Sequence, residues 1–275
     1  MQRGPSFVLN MKGQTSPLLC LARVMRPLSL FSLGLSASIL VAPPSTARPV
    51  RSHCKPLQES AVYRETGRLE SLERPPVPNR TDSPIVFALH GLGHHKEGFF
   101  NLTKRLPISW RVFAIDAPFI YGEGRAWYRF KCQGASADLD RSVTALIKTV
   151  DHLVRSYPLA SKPSIFGFSQ GGVMTLAALA HTPERWSSAA SLSGYWLKKS
   201  TLKPGSLDGA PSVLIAHGVQ DQVVPITKGR RAAKILSEAG ALVAWLPFDG
   251  EHYIPNRVLE TLKTHFSQAW SSKNR

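Results

Sequence analysis

An α/β fold, with a mostly parallel sheet and helices on both of its faces, is what this chain of 275 residues predicts. Three observations lead there. Short apolar runs bounded by turn residues recur at Ile85–Leu89, Val112–Ile115, Ser164–Phe168, Ser188–Leu192, Val213–Ala216 and Leu242–Leu246. They are apolar almost throughout rather than alternately, the pattern of strands covered on both faces. Helix-length stretches lie between or after them, at Gly134–Tyr157, Gln170–His181, Ile226–Ala239 and Asn256–Trp270. Strand-helix alternation requires crossover connections, which build parallel sheets. The chain leaves no room for a large lid domain.

The N-terminal stretch differs from the rest. The first 58 residues hold seven basic residues and no acidic one, so the body keeps 27 basic against 18 acidic residues and a charge of +9 rather than +16. Arg23 and Arg26 precede an apolar stretch, Leu28–Ala42, and Ser45-Thr46-Ala47 follows. A basic start, an apolar run and a small-x-small site describe a secretory signal over residues 1–47, cleaved near Ala47. The basic part is long for a signal unless translation starts at Met11 or Met25. A Ser-rich, acid-free leader also suits organelle targeting, and a cytoplasmic chain is the remaining alternative. Pro43 and Pro44 close the apolar run before the roughly 18 residues a spanning helix needs, so no stable membrane span is expected in the mature protein. In an exported protein Cys54 and Cys132 can pair. Three cysteines, at 20, 54 and 132, make neither a disulfide scaffold nor a zinc cluster.

Residues 48–82 read as a Pro-rich linker, with a short strand or hairpin around Ala61–Leu69. Residues 83–275 form the α/β domain. Within its first long helix Leu139, Val143, Leu146, Ile147, Val150 and Val154 recur at three- and four-residue spacing, one apolar stripe for packing on the sheet. Gly240 stands where a helix C-terminus needs a residue able to adopt positive φ. The basic residues of the body are dispersed and are not interleaved with aromatics, so no nucleic-acid partner is expected.

Chemistry concentrates at the ends of the strands. Gly167-Phe168-Ser169-Gln170-Gly171 joins a strand to a helix, the context in which G-x-S-x-G holds a nucleophile. The turn is tight enough to require small residues two positions either side of the serine. A serine is a weak nucleophile at neutral pH and needs a base, itself oriented by an acid. Asp221 follows the run Val213–Ala216, and His252 follows Leu242–Leu246, giving the chain order serine, acid, histidine. Ser169, Asp221 and His252 are the expected catalytic residues. Asp249 and Glu251 share the loop of His252 and are weaker claimants; Asp116 reads as a turn or pocket residue and His217 as structural. His90, His94 and His95 lack a carboxylate or cysteine at supporting spacing, so no metal is expected. The oxyanion of an acyl-transfer intermediate needs two N–H donors. Gln170, after the nucleophile, supplies one, and His90-Gly91-Leu92-Gly93 supplies the other through Leu92.

These segments, with His217-Gly218, Val224-Pro225 and Gly250, resemble the phospholipase/carboxylesterase family of the α/β-hydrolase fold, which includes acyl-protein thioesterases and small serine esterases. The resemblance covers about residues 83–270. It implies hydrolysis of carboxylic esters or acyl thioesters by a cofactor-free enzyme; short- to medium-chain acyl esters are the expected substrates, and a monomer or homodimer is the expected state. Lysophospholipids or acyl thioesters are the alternative substrates. Trp127-Tyr128 stands where the family carries a Trp-aromatic-Asp segment beside the acyl site, which makes both residues candidate substrate contacts and, with Tyr121 and Phe130, the loop 118–133 a candidate pocket wall; the alternative is that these aromatics cap the core beneath the loop. Arg129 replaces that segment's acid.

Overall fold

A computed structural model describes residues 57–157, 162–198 and 202–271. The leader expected over residues 1–47 and the opening of the expected linker lie outside the described residues. The chain enters through β1 (Gln58–Glu59), α1 (Ala61–Thr66) and β2 (Ser71–Arg74). Residues expected as a strand thus form a helix, and the strand comes later. The reason lies in the caps: the Ser60 hydroxyl accepts the Tyr63 N–H, and Gly67, at φ 64°, closes the turn onto the Tyr63 carbonyl.

The domain continues with β3 (Ile85–Leu89), α2 (Lys96–Thr103), β4 (Arg111–Ile115), β5 (Phe119–Tyr121), β6 (Gly124–Ala126), α3 (Ala135–Val154), β7 (Ser164–Phe168), α4 (Gln170–His181), β8 (Ser188–Leu192), β9 (Val213–Gly218), α5 (Ile226–Glu238), β10 (Val243–Phe248) and α6 (Asn256–Ser271). Seven strands form one sheet in the order β10-β9-β8-β7-β3-β4-β2, and β1, β5 and β6 form a small second one. All neighbours in the large sheet are parallel except β2, which runs antiparallel to β4 along Ser71–Arg74. The sheet is therefore the expected mostly parallel one.

Side chains leave the strands alternately to the two faces. Ile85, Phe87 and Leu89 join a core with Ile165, Val213, Ile215 and residues of α3, α4 and α5. Val86, Ala88, Phe166, Leu214 and Ala216 join the opposite core, closed by Phe99 of α2 and by Val258, Leu262 and Phe266 of α6. Burying one such Leu, Ile or Phe stabilises the fold by about 1.5–3 kcal/mol. Because β3 lies between β4 and β7, the chain builds outward from it in both directions. Where strand order reverses, the loops after neighbouring strands part and leave a crevice at their C-terminal ends. The loops after β3 and β7 border that crevice.

Candidate active site

Ser169 occupies the turn between β7 and α4 at φ 54° and ψ −115°, a combination that L-residues rarely adopt. Its N–H is held by the Leu192 carbonyl at 2.9 Å. The glycines around it are steric requirements. A Cβ on Gly167 would stand 2.2 Å from the Gly171 backbone, and one on Gly171 would stand 2.2 Å from the Leu89 oxygen.

Asp221 sits in the turn after β9, where its Oδ1 accepts the N–H groups of Val223 and Val224 at 3.0 and 2.8 Å. Its other oxygen lies 2.6 Å from His252 Nδ1, and His252 Nε2 lies 3.0 Å from Ser169 Oγ. The three expected residues, from three separate loops, thus form one hydrogen-bonded chain. The His252 ring packs at 4.7 Å against that of Phe168. Of the weaker claimants, Asp249 accepts the Gln220 amide at 2.5 Å, and Asp116 binds the N–H and ammonium of Lys96 at 2.7 and 3.1 Å. His217 is buried and holds the Val224 carbonyl at 2.7 Å, bracing the turn that carries Asp221. Burial pushes its imidazole below the ordinary value, towards the neutral form.

The loop after β3 is set by His90, which is fully buried. Its Nε2 accepts the Ala117 N–H at 3.1 Å, which leaves the ring proton on Nδ1, 2.7 Å from the Gly91 carbonyl. That carbonyl also takes the His94 N–H. In a trans peptide the C=O and N–H point opposite ways, so the N–H of the same unit, which belongs to Leu92, turns away from His90. Among the described residues it has no hydrogen-bond partner, and Leu92 lines the same cavity as Ser169, Gln170 and His252. Gln170 opens α4, so its N–H precedes the helical ladder. Both expected donors border the nucleophile.

Trp127 and Tyr128 are placed elsewhere than expected. Neither lines the cavity, and both are buried, at 0% and 1% exposure. The Gln170 side chain clasps their backbone, accepting the Trp127 N–H at 3.0 Å and donating to the Tyr128 carbonyl at 3.1 Å. The Trp127 indole N–H reaches the His90 carbonyl at 2.9 Å. They support the nucleophile turn from beneath, because their apolar rings gain more from the core than from an open cleft. The cavity wall is instead Phe99, Leu102, Phe130, Phe168, Tyr195, Val223 and Ile254, around a volume of about 500 Å³. Phe130 lies on the aromatic loop 118–133 and Phe168 within the nucleophile motif; no motif flags the others.

Arg129, which stands where the resemblance leads one to expect an acid, pairs with Asp138 of α3 at 2.7 Å, and Arg141 joins at 3.0 Å. Burial alone would raise the Asp138 carboxyl, but the two guanidinium groups hold it below the ordinary value. Its contribution is therefore complete above the unfolded value near pH 4 and fades as pH falls through the lower folded one. Asp138→Asn is expected to cost about 2 kcal/mol, or roughly 4–8 °C in melting temperature, at neutral pH. Thermal melts of the two proteins should draw together as pH falls below about 4, and a gap that did not narrow there would count against this ion pair as its source.

Among the described residues no group of His, Cys, Asp and Glu is arranged to hold a metal ion, and no helix is long and apolar enough to cross a membrane. A family model described as Phospholipase/Carboxylesterase matches residues 76–270. Acyl-protein thioesterase 1 of Gibberella zeae is 33% identical over 214 residues, 67% of this chain and 88% of that protein. An uncharacterized hydrolase of Mycosarcoma maydis is 29% identical over 168 residues, 55% of this chain, and the match spans 63% of that protein's length. The solved carboxylesterase of Bacillus cereus shares the fold, with a TM-score of 0.66 at 18% identity over 75% of this chain and 97% of that one. A match that runs unbroken from the residues before β3 into α6 decides the family, and the chain belongs to the phospholipase/carboxylesterase hydrolases.

Proposed function

We propose that this chain is a serine esterase that cleaves short- to medium-chain acyl esters through an acyl-enzyme. The carrying observation is the unbroken sequence of contacts from Ser169 to His252 to Asp221, at 3.0 and 2.6 Å, on the wall of an apolar cavity. With its Nδ1 proton donated to Asp221, His252 presents a bare Nε2 to the serine hydroxyl. Ser169 attacks the acyl carbon while His252 takes the hydroxyl proton, then returns it to the departing alcohol. Water repeats the sequence to free the acid. The N–H groups of Leu92 and Gln170 receive the negative charge that develops on the carbonyl oxygen.

The chain-length preference follows from the cavity. At about 500 Å³ it lies in the lower half of the usual range for ligand sites, and half-exposed Tyr253 and Val223 flank its mouth. Turnover of p-nitrophenyl esters, from acetate to palmitate, is expected to peak between butyrate and octanoate. A maximum at palmitate would favour lysophospholipid or acyl-thioester substrates instead, the latter being what the Gibberella relative is named for.

Export is the proposed destination, with cleavage near Ala47. The leader's order of basic, apolar and small residues supports it. So does Cys132, which is disulfide-bonded, a state that persists in oxidising compartments. Cleavage there would remove Cys20 and leave Cys54 as the one other cysteine. Thiol titration of the secreted protein under denaturing conditions should find no free thiol; two would refute the pairing.

A further inference from the structure

A second cavity, of about 900 Å³, meets the first at Phe130 and Tyr195, which line both. Its chemistry is different. Where the cavity at Ser169 is walled by hydrocarbon, this one is lined by Lys131, Lys198 and Lys228, with Asp140 as the only carboxylate among its described lining residues. Lys198 and Asp140 neutralise each other at 2.9 Å. Two cations remain, and both stand on the partition: the Lys131 ammonium is 5.2 Å from the Phe130 ring centre, and that of Lys228 is 5.0 Å from the Tyr195 ring centre. Stacking on an aromatic face fixes an ammonium without consuming its charge. Lys131 is held there at φ 54°, one of three described residues other than glycine with positive φ.

We propose that this cavity receives an anionic group, a carboxylate or phosphate, on the leaving half of the ester while the acyl chain occupies the apolar cavity. The inference rests on the esterase reading of Ser169 for the direction of the substrate. The apolar cavity suits a hydrocarbon acyl chain, so the other half of an ester bound at Ser169 extends past Phe130 and Tyr195 towards the two ammonium groups. Lysine acts as a point charge rather than a planar fork, so the site selects charge over anion geometry.

The test compares two isosteric esters, 4-(butyryloxy)benzoate and 4-(butyryloxy)benzamide, on the parent and on a Lys131→Gln/Lys228→Gln variant; both lysines are exposed. At low salt the parent should favour the carboxylate about tenfold in kcat/KM, as two point charges in a wet cleft allow, and the variant should lose that preference. A parent ratio near one, or a ratio kept by the variant, overturns the proposal. Calorimetric titration with hexyl phosphate, hexanol and inorganic phosphate separates this from the esterase reading. Hexyl phosphate should bind the parent about tenfold more tightly than the variant, and more tightly than the other two ligands. Inorganic phosphate binding as well as hexyl phosphate would mark a free-anion site and overturn the substrate role. If neither ester is cleaved but hexyl phosphate binding still depends on the lysines, the esterase reading fails and the anion site stands. If both esters are cleaved with no preference for charge, the esterase reading stands and the anion site fails.

Discussion

Ser169→Ala is expected to lower kcat on every ester cleaved by the parent by about 10⁴-fold or more, with little change in KM. The loss is this large because the serine oxygen is the atom that forms the acyl bond, and no neighbour can replace it. Among hydroxyls near the turn, Ser191 Oγ is engaged with the Gly172 carbonyl on the core side, at 3.1 Å. Binding should survive, since the cavity wall of Phe99, Leu102, Phe168 and Ile254 does not change. Steady-state kinetics on p-nitrophenyl butyrate would measure both constants. A variant with more than a few per cent of parental turnover would remove Ser169 from the nucleophile's role.

The second large effect is expected from Asp221→Asn, and its cause is positional. Oδ1 of Asp221 accepts two backbone N–H groups, so an asparagine there must place its oxygen in that position. Its NH₂ then faces His252 Nδ1, where the carboxylate now lies at 2.6 Å. Two donors cannot share that contact, so the imidazole shifts its proton to Nε2 and can no longer take one from Ser169. A fall of about 10⁴-fold in kcat is expected, with the fold intact. Asp221→Ala should cost the same catalysis and also free the Val223 and Val224 N–H groups, so it should melt lower than the asparagine variant. Equal melting temperatures would show that these two bonds do not hold the turn.

Much of this architecture is legible in the sequence. β3, β7 and β8 carry hydrophobic side chains to both cores, and a strand buried on both faces shows itself as a continuous apolar run. The three residues of the hydrogen-bonded chain were readable because Ser169 directly follows such a run, and Asp221 and His252 stand in the loops that leave the later strands, β9 and β10. Elements that show little periodicity were not. α2 is eight residues long and is capped by a histidine side chain, and β5 and β6 have three residues each. Trp127 and Tyr128 show a further limit: sequence marks a residue as apolar but not whether its ring meets a cavity or the core beneath it. Which of the two holds was set here by the Gln170 side chain, from an element more than forty positions away.

The backbone of Ser169 has an implication for how this protein can change. A left-handed φ beside packed glycines is a conformation that serine tolerates and glycine prefers, with a strain on the order of 1–3 kcal/mol. Folding and function therefore pull on position 169 in opposite directions. A library of variants sorted only for heat resistance or soluble yield would drift to glycine at a position where glycine ends the reaction. Any programme to harden this protein has to keep turnover in the screen from its first round.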